Sequence, residues 1–271
     1  MICPICKNTS FDNLFTKDCY QFLRCHHCEL ITRTYRGKKK IIDPYSCQYY
    51  TDGGKIKKRL EKCLTKIINR RRIKLIENYQ KKGKILDLGC GLGQFLAQSC
   101  EPDRWEKFGV EPSSSAYRQI KKTNLTVYQG ELTSLNLPKN HFDIVTAWHV
   151  LEHLTNPKET LIQINKILKK RGLLVISTPN TNSLGFNLGQ VNWFHLDPSH
   201  HLFLFNLKNL KKILKSADFK IKEVNFPILE YPLDLFHSLG GINKPILGFL
   251  GKLIFPLLGR GETIEIVSQK K

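Results

Sequence analysis

Lys84-Ile85-Leu86-Asp87-Leu88-Gly89-Cys90-Gly91-Leu92-Gly93 is a mostly apolar run that ends in three alternating glycines. The run reads as a buried strand, and Gln94 to Gln98 reads as a helix that follows the turn. Glycine tolerates positive φ and lets a ligand approach the backbone closely. In an open α/β sheet such a turn lies at the carboxyl edge of a strand, where ligands bind. Asp87 sits just before the glycines. A carboxylate there repels a pyrophosphate but can pair with a cationic amino-acid moiety. Phe108-Gly109-Val110-Glu111 ends the next strand, where an acidic residue can take both hydroxyls of a ribose. The glycine spacing alone also fits a nucleotide-phosphate loop.

Outward from this stretch the chain alternates between two patterns. Short apolar runs at 84–88, 106–110, 125–128, 142–147 and 172–177 are separated by helical periodicity. Such alternation predicts a parallel sheet with helices on both faces, an α/β fold. Residues 219–226 and 262–269 read as two further strands. Between them lies an apolar insertion at 231–260, read as a helical cap over a pocket or a surface for a lipid-linked molecule. Upstream, Ile56, Leu60, Leu64, Ile67 and Ile68 recur at helical steps among lysines and arginines, so 51–82 reads as a basic helical connector.

The first 50 residues differ. They hold six of the nine cysteines. Cys3-Pro4-Ile5-Cys6 and Cys25-His26-His27-Cys28 form two CxxC knuckles. Each gap of two lets both thiolates face one ion, and two knuckles give the tetrahedral sulfur set that Zn²⁺ prefers. Residues 1–50 therefore read as a structural zinc ribbon, with metal binding supplying much of its folding free energy. Cys19, Cys47, Cys63 and Cys100 have no such spacing and read as ordinary thiols.

The chain has 271 residues and carries a formal charge of +20, of which +13 falls in residues 1–83. That excess favours an anionic neighbour such as nucleic acid, an acidic lipid surface or a phosphorylated substrate. Arg70-Arg71-Arg72 stand about 100° apart on a helix, so they cannot all face one backbone, and they read as a solvated face. No secretory leader and no apolar run of 18 residues is seen, which predicts a cytoplasmic protein without a transmembrane segment.

In combination and order, DLGCGLG (residues 87–93) and GVEPS (109–113) resemble class I S-adenosylmethionine-dependent methyltransferases. Further matches are Gly130-Glu131, Leu137-Pro138 and Phe142-Asp143-Ile144-Val145. Trp148-His149-Val150-Leu151-Glu152-His153-Leu154, Ile176 to Asn180 and His201 to Phe205 are similar to the small-molecule branch, which includes the ubiquinone O-methyltransferases. The resemblance covers about residues 80–269. It implies a Rossmann-like seven-stranded sheet over 83–271 that binds S-adenosylmethionine. It further implies roles. Gly89, Cys90, Gly91 and Gly93 would line the methionine and ribose, and Asp87 would hold the amino group. Glu111 would bind the ribose hydroxyls. Glu131 and the Leu132 amide would meet the adenine, and Trp148 would form a wall.

Methyl transfer to a hydroxyl is helped by a general base, and histidine is the usual one at neutral pH. His149, His153 and His201 are the candidates, with His195 and His200 nearby in sequence. The expected function is methylation of a small-molecule, glycan or lipid-linked acceptor, most readily at oxygen. The alternative is a ribosomal-RNA methyltransferase whose zinc ribbon and basic helix grip nucleic acid. A cofactor-binding protein without catalysis is a third reading, and the intact glycine loop opposes it.

Overall fold

The computed structural model describes residues 1–36, 55–121, 123, 125–227, 230, 238 and 260–271. The predicted cap, apart from Ser238 and Arg260, and Cys47 lie outside the described residues. The N-terminal part contains β1 (Phe11–Lys17), β2 (Tyr20–Cys25) and β3 (Ile31–Tyr35), followed by the long helix α1 (Lys55–Glu77). Then come β4 (Gly83–Leu88), α2 (Gln94–Ser99), β5 (Trp105–Glu111), α3 (Ser114–Ile120) and β6 (Thr126–Gln129). Next are β7 (Phe142–Trp148), α4 (Pro157–Ile167), β8 (Leu168–Pro179) and α5 (Leu184–Gly189). The chain ends with β9 (Phe203–Leu204), α6 (Leu207–Ser216), β10 (Phe219–Asn225) and β11 (Thr263–Lys270).

Seven strands form one sheet in the order β10-β11-β8-β7-β4-β5-β6. β4 pairs in parallel with β5 and β7, β5 with β6, and β7 with β8, whereas β11 runs antiparallel to β8 and β10. The sheet is thus mixed rather than purely parallel. The chain leaves β4 in one direction through β5 and β6 and returns to the other side of β4 at β7. That reversal opens a crevice at the carboxyl ends of β4 and β7, where ligands of such sheets bind.

Adjacent residues along each central strand point to opposite layers. Leu86, Val145, Ile176 and Ile266 pack with Leu161 and Ile164 of α4 and Leu210 and Ile213 of α6. Their neighbours Ile85, Ile144, Val175 and Val267 pack with Ile73 and Ile76 of α1 and Phe95 and Leu96 of α2. Burial on both faces explains why these strands read as continuous apolar runs. Of the α1 stripe read from the sequence, Leu64 and Ile67 are exposed and Ile68 is half-buried, while Ile73, Leu75 and Ile76 are buried. The C-terminal half of α1 is the part that meets α2 and the sheet, so burial follows that contact rather than the longer apolar repeat.

The cysteine region is a three-stranded antiparallel meander, but its sheet has four strands, because β9 from the later chain pairs with β3. Cys3, Ile5, Cys25, Cys28 and Leu30 share an apolar core with Phe203 and Phe205. Among the described residues, no helix is long and apolar enough to cross a membrane.

Candidate active site

Leu88 leaves the sheet and the chain turns through Gly89, Gly91 and Gly93, all left-handed, with φ of 66°, 54° and 72°. A Cβ at Gly89 would lie 2.7 Å from Val150, and one at Gly93 would lie 2.6 Å from Ile120. These positions therefore demand glycine for conformation and for packing. The Gly91 amide donates to Glu111 Oε2 at 2.7 Å, and the Ser113 amide donates to Oε1 at 2.8 Å. Burial holds the Glu111 carboxyl above its usual range, and the two amide bonds offset only part of that rise. The Cys90 side chain turns inward, because its Sγ would lie 2.6 Å from a Cβ placed on Gly109. The Gly130 amide donates to the Glu111 carbonyl at 3.1 Å and so brings the ends of β5 and β6 together. Glu131 is exposed and heads a short 3₁₀ turn, Leu132–Ser134, in which Leu132 is buried.

Asp87 is buried and accepts a 2.6 Å hydrogen bond from the Thr146 hydroxyl. Burial pushes its carboxyl up to about 7, against the Thr146 bond and the positive charge of Arg72, with Glu111 adding to the rise. A buried carboxylate held this way is poised for a cation supplied from outside. Trp148 closes the same end of the sheet, with Phe95 edge-on at 5.4 Å. Its buried Nε1 has no hydrogen-bond partner among the described residues. A glycine loop, a buried carboxylate, a second carboxylate at the next strand end and an unpartnered indole donor together fit an adenosyl cofactor with a cationic amino-acid end.

The histidines gather at the end of β7. His149 has a positive φ of 55°, and its amide donates to the Ser177 carbonyl at 3.0 Å. Its ring lies between two buried carboxylates, 3.3 Å from Glu152 and 3.5 Å from Glu230. Burial opposes a charge there, yet the carboxylates outweigh it and push His149 up to about 9. The two carboxylates thus favour the imidazolium form of His149, which has no lone pair to accept a proton. His153 donates from Nδ1 to the His200 carbonyl at 3.2 Å, which selects the tautomer whose lone pair lies on Nε2. His201 packs on His153 with ring centroids 4.8 Å apart. Burial pushes His201 down to about 4, which keeps it neutral. Its Nδ1 has no hydrogen-bond partner among the described residues. Glu152, His153 and His201 offer ligand atoms within 4.8 Å of one another and could together hold a divalent cation. His195 is buried beside Trp193, and His200 pairs with Asp197 at 2.7 Å.

The arginines of α1 are where the structure departs most from the sequence reading. Arg70 is exposed, but Arg71 and Arg72 turn inward. Arg71 holds both oxygens of the buried Glu265, each at 2.7 Å, and reaches Glu230 at 3.0 Å. Arg72 pairs with Glu230, and its guanidinium lies 4.4 Å from the centre of the Trp148 ring. The 100° spread holds, but it turns two of the three side chains toward the site. Sequence reasoning missed both. The available signal was Glu265, a lone carboxylate inside the apolar run Thr263-Ile264-Glu265-Ile266-Val267, which requires a buried cation.

At the N-terminus the Sγ atoms of Cys3, Cys6, Cys25 and Cys28 lie within 4.8 Å of one another. Cys3 and Cys28 are 3.4 Å apart, and Cys6 and Cys25 are 3.5 Å apart. A zinc tetrahedron with bonds of about 2.3 Å has edges of about 3.8 Å, so the cluster fits that ion. The Cys3–Cys28 contact pulls one thiol, Cys3, down and pushes the other, Cys28, up.

Comparison with known proteins agrees with this geometry. Residues 56–224 match the family model described as a methyltransferase domain. The ubiquinone biosynthesis O-methyltransferase of Rhodopseudomonas palustris (strain TIE-1) is 31% identical over 116 residues, covering 40% of this chain and 44% of that protein. The protein of that name from Bradyrhizobium sp. (strain ORS 278) is 34% identical over 116 residues, with the same coverage of each chain. The chain thus spans less than half the length of the curated relatives it matches. The solved structure of an S-adenosylmethionine-dependent methyltransferase from Archaeoglobus fulgidus superposes with a TM-score of 0.57 at 22% identity, covering 76% of this chain and 94% of that one. With the seven-stranded sheet, the glycine loop and a family match over more than half its length, the chain belongs to the class I S-adenosylmethionine-dependent methyltransferases.

Proposed function

We propose that the protein moves a methyl group from S-adenosylmethionine to an oxygen of a small-molecule, glycan or lipid-linked acceptor. The observation that carries this reading is an oriented imidazole, His153, whose Nδ1 is committed to the His200 carbonyl just beyond the strand beside the glycine loop. The names of the curated relatives support oxygen as the methylated atom. When bound, the cofactor supplies a methyl already activated on a sulfonium, so the protein chiefly aligns the reactants. In this reading Gly89, Gly91, Gly93 and the Cys90 backbone line the methionine and ribose, and Asp87 receives the ammonium group. Glu111 takes the ribose hydroxyls, Glu131 and the Leu132 amide receive the adenine, and Trp148 forms a wall. His153 accepts the acceptor's proton at Nε2, and the His201 ring packs beside it. His149, charged and flanked by Glu152 and Glu230, orders the site instead of taking a proton.

In the same reading, residues 1–50 form a ribbon held by Zn²⁺ on Cys3, Cys6, Cys25 and Cys28. Residues 51–82 form the connector, residues 83–271 the catalytic domain in a cytoplasmic protein, and residues 231–260 its cap. No observation favours the RNA alternative, since Arg71 and Arg72 are engaged internally with Glu265 and Glu230. The test is a thermal-shift panel joined to a labelled-methyl assay over phenolic, glycan and RNA acceptors. S-adenosylmethionine and S-adenosylhomocysteine should raise the melting temperature while nicotinamide dinucleotides do not. Label should pass to a hydroxyl acceptor and be lost with His153→Gln. Equal stabilisation by a nicotinamide dinucleotide, or transfer to RNA alone, would refute the reading.

A further inference from the structure

The strand that completes the ribbon sheet also carries the histidine loop. β3 pairs with β9 through Ile31 with Leu204 and Thr32 with Phe203. One residue on, the Arg33 amide donates to the Leu202 carbonyl at 3.0 Å. The Arg33 guanidinium donates from Nη1 to the carbonyls of Pro198 at 2.6 Å and Ser199 at 2.9 Å. The next carbonyl along, that of His200, is the one that receives His153 Nδ1 at 3.2 Å. The Leu202 amide returns to the Glu152 carbonyl at 2.8 Å, and the His201 amide to the Asp197 carbonyl at 2.9 Å. Residues 197–202 are thus tied to the ribbon on one side and to Glu152 and His153 on the other.

The ribbon end of this tie starts at the cysteine cluster. The Glu29 amide donates to the Cys25 carbonyl at 2.8 Å, and the Cys25 amide to the Leu30 carbonyl at 2.9 Å. The knuckle that holds Cys25 and Cys28 therefore sets where β3 begins. Glu29, left-handed with a φ of 63°, accepts from Asn206 at 3.1 Å and Lys208 at 2.5 Å. That clamps the same knuckle to the far end of the histidine loop. Apolar packing with Phe203 and Phe205 holds the meander against the fold, and an ion on the four cysteines would add the constraint that fixes the knuckle itself.

We propose that Arg33 is a positioning residue that acts through the 198–200 carbonyls on His153, so that closure of the cysteine cluster sets the geometry of the acceptor side. Its bearing on proton transfer rests on the methyl-transfer reading above, whereas the coupling of the cysteine region to the loop rests on the contacts just given. Cofactor binding lies outside the coupling, because Asp87, Gly91 and Glu111 make no contact with residues 197–202 among the bonds described.

The experiment uses the full chain loaded with zinc, the same protein after chelation, and the variants Arg33→Ala and Arg33→Lys. Hydrogen exchange, the ring-nitrogen shifts of His153 and S-adenosylhomocysteine affinity are measured on each. Arg33→Ala should speed exchange at His201 and Leu202 by about tenfold or more and move His153 toward mixed tautomers. Arg33→Lys, which keeps a cation able to reach both carbonyls, should restore both. Chelation should reproduce the alanine result, and it stands in for that variant should the variant fail to fold. S-adenosylhomocysteine affinity should stay within about twofold throughout, well under one tenfold step of free energy. Unchanged exchange at 197–202 after chelation, or loss of cofactor affinity along with the loop, would overturn the proposal. Failure of the zinc-loaded wild type to bind S-adenosylhomocysteine would strike the methyl-transfer reading instead.

Discussion

Asp87→Asn tests the cofactor pocket in a way that separates charge from shape. The side chains are nearly isosteric, and the amide oxygen can still accept from Thr146, which now lies 2.6 Å from Asp87 Oδ1. Burial pushes Asp87 from an ordinary value of 3.8 up to about 7. The folded carboxyl thus holds its proton at pH values where the unfolded one has lost it. Stability is fully present below 3.8, falls as the pH rises from 3.8 to about 7, and is lost to its full extent above that. At about 1.4 kcal/mol per tenfold, the full loss at pH 8 is about 4 kcal/mol, and the smaller part of it is already incurred at pH 5. Without cofactor, the advantage of Asp87→Asn over wild type should therefore grow by about 3 kcal/mol between pH 5 and pH 8. For a chain of this size that is about 6–12 °C in melting temperature. Cofactor affinity should move the other way, weakening by about tenfold to a hundredfold, because a charged hydrogen bond is worth about 1.5–3 kcal/mol. Denaturant melts at the two pH values and calorimetric titration with S-adenosylhomocysteine read both effects. A stability difference that does not change with pH, or unchanged affinity, would refute the argument that Asp87 is an uncompensated buried carboxyl awaiting a cation.

Further outcomes follow from the other observations. Purified protein should carry one zinc per chain by elemental analysis, and Cys3→Ser or Cys28→Ser should lose it; a ribbon that stays protease-resistant without metal would contradict the structural role. Gly93→Ala should destabilise by about 1–3 kcal/mol, since its φ is 72° and a Cβ would meet Ile120 at 2.6 Å; a chemical melt within 0.5 kcal/mol of wild type, the ordinary range for a surface change, would argue against that strain. RNA binding should be weak and vanish near physiological salt; tight, salt-resistant binding lost on Arg70→Ala would restore the nucleic-acid alternative.

The sequence by itself determined the α/β class of the main domain and the places of its glycine loop and cysteine pairs. The reason is that these features are local. A strand buried on both faces needs a continuous apolar run, a left-handed loop needs glycine, and a metal knuckle needs two cysteines two residues apart. Each writes its pattern within about ten residues, so residues 84–93 and the pairs Cys3/Cys6 and Cys25/Cys28 are legible at sight. Charge and proton state are not written locally. His149 and His153 lie four residues apart and look alike as bases, yet one lies between the carboxylates of Glu152 and Glu230 while the other is oriented through Nδ1 by the His200 carbonyl. Arg70, Arg71 and Arg72 are identical neighbours, and only the packing of α1 against the sheet turns two of them toward carboxylates more than 150 residues away. The join between ribbon and catalytic domain likewise depends on β3 meeting β9, two short segments whose pairing no repeat or spacing encodes. Burial and long-range hydrogen bonds set these features, because they fix which groups lose water and which partners replace it, and that is decided only when distant segments have packed.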